Sequence, residues 1–250
     1  MNKNTLLVAG LKAEDQERAT RNEQRVTSNE NPNFEINMAC PIFKADPPGI
    51  EEAAQTILQG GVVAFPTETF YGLAADALNE RALQKIFQIK GREESKPLLL
   101  LVSDRSWVPA LARKISPLAG RLMEKFWPGP LTLVFEASPH LPAILTANTG
   151  KVGLRISSHP VAQALVHAVG RAITGTSANL SGQPSVSTAK GVFQTLGGKL
   201  DAILNGGRTA GGLGSTVLDV SGISTQVLRE GVISRRDLVR YLQEDGDFSP

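Results

Sequence analysis

Gly60-Gly61-Val62-Val63-Ala64-Phe65-Pro66-Thr67-Glu68-Thr69-Phe70-Tyr71-Gly72-Leu73 carries the architecture of this chain in miniature. The paired glycines read as a turn and Val62 to Phe65 as a short buried strand, so the hydroxyls of Thr67, Thr69 and Tyr71 emerge at a strand's end. A strand end followed by a loop is where open α/β sheets bind small molecules. Two threonine hydroxyls and a phenol offer donors and acceptors to a small polar ligand. Lys90, Arg92 and Lys96, one helix length further on, suit a polyanion such as a triphosphate. Singly, each has a plainer reading as a strand-end residue, a turn glycine or a helix-terminal cation. Their order and spacing instead predict a nucleotide and a small polar substrate in one cleft.

Working outward, helical and strand patterns alternate from Pro47 onward. Ile50 to Leu58, Ala82 to Ile89, Val161 to Val169, Thr188 to Leu196 and Ser234 to Leu242 read as helices, with Leu83, Ile86 and Phe87 on one side of the second. Leu98 to Val102, Leu131 to Phe135, Val152 to Ile156, Ala172 to Thr174, Ala202 to Leu204, Thr216 to Val220 and Val227 to Leu228 read as strands. No repeat and no interdomain linker interrupts them, so one α/β domain is expected over residues 46–250. Residues 1 to about 37 are polar, mixed in charge and poor in large apolar side chains after Leu11, which predicts a flexible extension reaching to about residue 45. It lacks a signal-peptide pattern. A chain starting at Met38 is expected to fold and work normally.

The bulk numbers fit a globular protein: 250 residues, 41% hydrophobic, 20% charged, net charge +2. No apolar run approaches the roughly 20 residues that span a bilayer, so no membrane role is expected. The basic residues form no long block, which argues against a dedicated nucleic-acid surface. Cys40 is the single cysteine and excludes an internal disulfide, pointing to a reducing, cytoplasmic compartment. His140, His159 and His167 lack a ligand pattern, so no protein-held metal is expected. There is no Walker-type loop, no Gly-x-Gly-x-x-Gly and no serine elbow. Arg208 to Ser215 is glycine-rich and reads as a mobile loop before a strand.

Beyond Pro66 to Leu73, the chain carries Lys90-Gly91-Arg92, Lys96-Pro97, Trp127-Pro128-Gly129-Pro130-Leu131-Thr132, Gly153-Leu154-Arg155, Thr176-Ser177-Ala178-Asn179-Leu180-Ser181-Gly182, Gly214-Ser215-Thr216-Val217-Leu218-Asp219 and Leu228-Arg229-Glu230-Gly231. With these motifs the sequence resembles the YrdC-like family of L-threonylcarbamoyladenylate synthases from about Ile50 to about Tyr241. The resemblance implies a twisted, mixed-sheet fold with helices and a large concave cleft. Because some members add a C-terminal domain for which there is no room here, it implies the single-domain form.

It implies a reaction as well: L-threonine and bicarbonate form a carbamate, which attacks the α-phosphorus of ATP and expels pyrophosphate. Mg²⁺ would accompany ATP, and a separate tRNA threonylcarbamoyl transferase would use the product for N6-threonylcarbamoyladenosine. By motif, Lys90, Arg92 and Lys96 would face the phosphates as catalytic cations. Thr67, Thr69, Tyr71, Arg155, Ser177 and Ser215 would form the threonine and bicarbonate pocket, with Arg155 on the threonine carboxylate. Lys151, Asn179, Ser187 and Arg229 would complete the nucleotide site, Ser177 and Asn179 sharing one loop. Two departures stand out: Glu93, followed by Glu94, where the family often has proline, and Leu101, where some relatives have histidine. The alternative reading is a noncatalytic RNA or ribosome-associated module. For the synthase, only weak, nonspecific RNA binding is expected. A carbamoyl transferase of the hydrogenase-maturation type is disfavoured by the absence of acylphosphatase-like and zinc-finger regions.

Overall fold

Asp46 accepts a hydrogen bond from the Gly49 N–H at 3.1 Å, and Pro47 fixes the first turn, so helix α1 (Pro47–Leu58) begins three residues before Ile50. The computed structural model describes residues 40–91 and 97–244. The expected extension up to residue 39, the Met38 start, Arg92, Glu93, Glu94 and Lys96 lie outside the described residues.

Strand β1 (Ile42–Lys44) pairs in parallel with β9 (Ala202–Asn205), with Phe43 opposite Leu204. The domain boundary expected at residue 46 is therefore corrected, because Ile42 to Lys44 form an edge strand. Three residues are too few for a period-2 pattern to register. β2 (Val63–Pro66) turns through residues 67–70 into β3 (Tyr71–Ala74), an antiparallel hairpin with Phe65 opposite Gly72. Both strands are buried on both faces, which is why Val62 to Phe65 reads as a continuous apolar run.

The described residues form the expected mixed α/β fold, built as two mixed sheets. The first runs β1-β9-β2-β3-β8, ending on β8 (Thr176–Ser177). The second runs β11-β10-β5-β6-β4-β7. Its strands are β11 (Gln226–Arg229), β10 (Thr216–Asp219), β5 (Leu131–Glu136), β6 (Lys151–Arg155), β4 (Leu99–Leu101) and β7 (Ile173–Thr174). The sheets are stitched where β7 passes into β8. Thr174 donates from its amide to Ala75 O at 3.0 Å and from its hydroxyl to Leu73 O at 2.8 Å. Gly175 lies between them because a β-carbon there would sit 2.9 Å from both Leu99 Cδ1 and Leu101 Cγ.

Helices cover the outer faces. α1 and α6 (Pro160–Val169) bury Ala53, Ile57, Leu165 and Val166 against Val63, Phe65 and Leu204. α2 (Glu80–Lys90), capped by Asn79 through the Ala82 N–H at 3.1 Å, buries Leu83, Ile86 and Phe87 as expected. α7 (Ala189–Leu196) and α8 (Arg235–Glu244) follow the sequence reading to within a few residues. Three helices were not anticipated: α3 (Val108–Leu111), α4 (Pro117–Phe126) and α5 (Ala143–Thr146). Two of them are single turns without a readable period.

Candidate active site

The cleft is one face of the six-stranded sheet. Along β6, Lys151, Gly153 and Arg155 face it while Val152 and Leu154 enter the core. On β5, Thr132 and Val134 face it between Leu131, Leu133 and Phe135. On β10, Val217 and Asp219 do the same around Leu218. From Lys151 to Arg155 the floor extends roughly 13 Å, set by the rise of a strand. Its volume is about 540 Å³. Gly153 keeps the middle open, since a β-carbon there would come within 3.2 Å of Thr132 Cγ2 and 3.5 Å of Leu99 Cβ.

Arg229 reaches the cleft through a β-bulge. Val217 pairs with Arg229 but Leu218 pairs with Val227, so Leu228 is the extra residue. Simple alternation would leave Arg229 on the face opposite Gln226; the bulge returns it to the cleft side. Its Nη2 donates to Ser215 O at 2.8 Å and to Ser215 Oγ at 3.1 Å. That hydroxyl also meets Thr132 Oγ1 at 2.9 Å. Burial first, and then the positive charge of Arg155, push the Arg229 pKa down from its ordinary high value. Two guanidiniums thus share a partly desolvated space, which favours an anion between them.

Arg155 is 4% exposed. Glu68 Oε1 lies 2.5 Å from its Nη2, yet off the N–H direction, so the pair is ionic without a hydrogen bond. Nε and Nη2 are shielded from solvent and have no hydrogen-bond partner among the described residues, Nη2 facing the Glu68 carboxylate. Leu101 pairs in register with Arg155 and is buried, so the position some relatives fill with histidine is apolar packing beside that arginine.

At the other end, Lys151 Nζ donates to Asp219 Oδ2 at 2.7 Å. Burial works to raise the Asp219 pKa, but the hydrogen bonds from Lys151 and from the Ser221 hydroxyl and amide, with the Lys151 charge, outweigh it and hold the carboxyl ionised. The pair leaves no net charge at that end. Asp219 was not anticipated as a cleft residue, although its motif and the alternation of β10 could have placed it.

Above the floor, Thr67 donates to Phe70 O at 2.7 Å and its hydroxyl lies 3.1 Å from that of Thr69. Both line the cleft, as do Ser177 and Ser215. Tyr71 borders it too, but its hydroxyl donates to Gly207 O at 2.8 Å and accepts from Gly206 N at 3.3 Å, and burial raises its pKa. The phenol is thus turned to a backbone task. The loop expected to be mobile is pinned: Gly211 N donates to Thr69 O at 2.7 Å and Thr209 N to Ser187 O at 2.9 Å. Gly211 adopts φ +69°, a left-handed backbone that disfavours a side chain. Ser187 supports this loop through its carbonyl and is not among the lining residues.

Lys90 stands apart from the lining residues. It is 3% exposed, and its Nζ donates to the Ser177 carbonyl, to Asn179 O at 2.9 Å and to Asn179 Oδ1 at 3.1 Å. It holds the loop after β8 and is absent from the cleft wall. Ser177 Oγ donates to Asn179 Oδ1 at 2.6 Å, and Asn179 Nδ2 donates to the Gln183 carbonyl, so the amide of Asn179 organises the loop internally. The sequence marks these residues as a group but says nothing of which face inward. Among the described residues, no cluster of three His, Cys, Asp or Glu side chains could hold a metal.

The Sua5/YciO/YrdC family model, described as telomere recombination, matches residues 55–231. The chain belongs to this family. Among curated Sua5/YciO/YrdC relatives, the threonylcarbamoyl-AMP synthase of Pyrococcus abyssi is 38% identical over 195 residues, covering 78% of this chain and 57% of the relative. That of Bacillus subtilis is 40% identical over 192 residues, covering 76% and 56%. The chain thus spans a little over half the length of these two relatives. A solved structure of P. abyssi Sua5 complexed with L-threonine superposes with a TM-score of 0.78 at 36% identity, over 82% of this chain and 61% of that one. The mixed-sheet fold with a concave cleft is the family's fold.

Proposed function

We propose that this Sua5/YciO/YrdC chain makes L-threonylcarbamoyl-AMP from L-threonine, bicarbonate and ATP, releasing pyrophosphate, for N6-threonylcarbamoyladenosine in tRNA. The observation that carries the reading is the buried Arg155, a guanidinium in the wall of a cleft that also holds hydroxyls and a second arginine. The relatives' name, threonylcarbamoyl-AMP synthase, and the relative complexed with L-threonine support it.

Arg155 receives the threonine carboxylate, with Thr67, Thr69, Ser177 and Ser215 around the amine and hydroxyl. The neutral amine nitrogen bonds to the bicarbonate carbon as a C–O bond breaks and water leaves, giving a carbamate, and one carbamate oxygen attacks the α-phosphorus. The new O–P bond forms as the α–β bridging P–O bond breaks, and pyrophosphate leaves with that electron pair. No side-chain nucleophile is required. The protein's part is to align two anions and to stabilise phosphoryl charge, which Arg229 does from the described cleft, with Lys151 at its other end already paired to Asp219. Arg92 and Lys96 join Arg229 on motif grounds alone. Lys90 acts one step back, through the Ser177 loop. Mg²⁺ would arrive with ATP and supply neutralisation of phosphate charge; the cleft's one acidic lining side chain among the described residues, Asp219, is already engaged by Lys151 and Ser221. A separate tRNA threonylcarbamoyl transferase consumes the product. No helix among the described residues is long and apolar enough to cross a membrane, and a cytoplasmic site suits a tRNA-directed product.

Pyrophosphate release tests the reading: it should require L-threonine, bicarbonate, ATP and Mg²⁺ together. Equal release without threonine would overturn it.

A further inference from the structure

Glu68 has no task in the chemistry above, yet it sits at the centre of an ordered set of contacts. Its side chain is 16% exposed, with Oε1 2.5 Å from Arg155 Nη2. Oε2 accepts a hydrogen bond from the Ser157 hydroxyl. Ser157 Oγ accepts in turn from the His159 N–H at 3.2 Å, and His159 Nδ1 accepts from Val161 N at 3.2 Å in the first turn of α6. The carboxylate is thus anchored from the helix side and presented to the arginine. The ion pair with Glu68 is what meets the buried Nη2 end of Arg155. An arginine has several rotamers, and only a narrow set presents its guanidinium correctly to a ligand. Arg155 also stands in the field of Arg229, a repulsion that an adjacent buried carboxylate offsets.

We propose that Glu68 is a positioning residue for substrate binding, whose Ser157-anchored carboxylate fixes the Arg155 guanidinium in the cleft wall and balances the arginine's charge. The proposal rests on the reading that Arg155 receives the threonine carboxylate. Glu68 touches the arginine and not the reacting atoms, so its loss acts on threonine and leaves the nucleotide end alone.

Full-length Glu68→Gln, Glu68→Asp and Ser157→Ala are compared with the unaltered chain by threonine KM, ATP KM and kcat. The ¹⁵N-arginine spectrum adds the Arg155 Nε–H signal, assigned by its disappearance in Arg155→Lys. Glu68→Gln keeps the size and removes the charge; it should raise the threonine KM about ten-fold or more, with ATP KM within about two-fold, and broaden or shift the Nε–H signal. Glu68→Asp should recover part of the loss, and Ser157→Ala should fall between. A threonine KM unchanged in Glu68→Gln, or threonine and ATP KM raised alike, would overturn the proposal. If Glu68→Gln does not fold, the same threonine-selective loss in Ser157→Ala supports the proposal and its absence opposes it. Should the unaltered chain fail to bind L-threonine, the synthase reading falls, and the Nε–H signal decides alone: altered in Glu68→Gln, it supports positioning; identical, it refutes it.

Discussion

Arg229 Nη2 donates at once to the carbonyl and the hydroxyl of Ser215, at 2.8 and 3.1 Å, tying a cation delivered by an edge-strand bulge to a residue that also meets Thr132. In the proposed reading, threonine and nucleotide contacts are therefore linked through one serine. Arg229→Ala should raise the ATP KM roughly ten- to hundred-fold, the worth of a charge-assisted hydrogen bond. Ser215→Ala leaves the carbonyl contact to Arg229 intact and should cost about ten-fold or less, chiefly in threonine KM. Initial-rate kinetics with each substrate varied separate the two.

Arg155→Ala should chiefly raise the threonine KM by about one to two orders of magnitude, and Arg155→Lys should restore little, because a lysine cannot present two parallel N–H groups. An effect confined to ATP would reverse the assignment of the two cleft ends.

Much of this site is legible in the chain, for definite reasons. Lys151, Gly153 and Arg155 recur at period two, so once β6 is read as a strand their common face follows. The Val62 to Phe65 run likewise gives a buried strand ending in hydroxyls. Burial of a cation is not legible: Lys90 sits in a helical position whose exposure depends on the distant loop of Ser177 and Asn179. Nor is a one-residue bulge, so Arg229 could be named by motif without the means by which it turns inward. β1 and β8 are too short for periodicity, and their pairing is decided by partners more than a hundred residues away in sequence.

Lys90→Met should lower stability as well as activity, because it strands the buried acceptors of Ser177 and Asn179. The loss should be about 2 kcal/mol or more, measured by urea denaturation. Reduced ATP affinity with unchanged stability would instead return Lys90 to the phosphates.

Gly153→Val should close the middle of the cleft, since even a β-carbon there comes within 3.2 Å of Thr132. Both KM values should rise while the melting temperature moves little, because the added methyls project into the cleft and away from the core. Thermal melting beside kinetics checks this.

His159 accepts a hydrogen bond through Nδ1 and is held below its ordinary pKa chiefly by burial, with Glu68 opposing in part. Protons therefore bind the unfolded chain more readily, so this residue's contribution to stability is complete above about pH 6.5 and declines as pH falls below it. His159→Asn should flatten that acid limb in a series of denaturation curves from neutral to pH 5.

The central claim is that one cleft joins threonine, bicarbonate and AMP, and ¹³C-bicarbonate tests it most directly. Incubated with L-threonine, ATP and Mg²⁺, the chain should yield an adenylate whose mass includes threonine and the ¹³C label, with an equal amount of pyrophosphate. An adenylate without the label, or pyrophosphate formed at the same rate with bicarbonate removed, would contradict it.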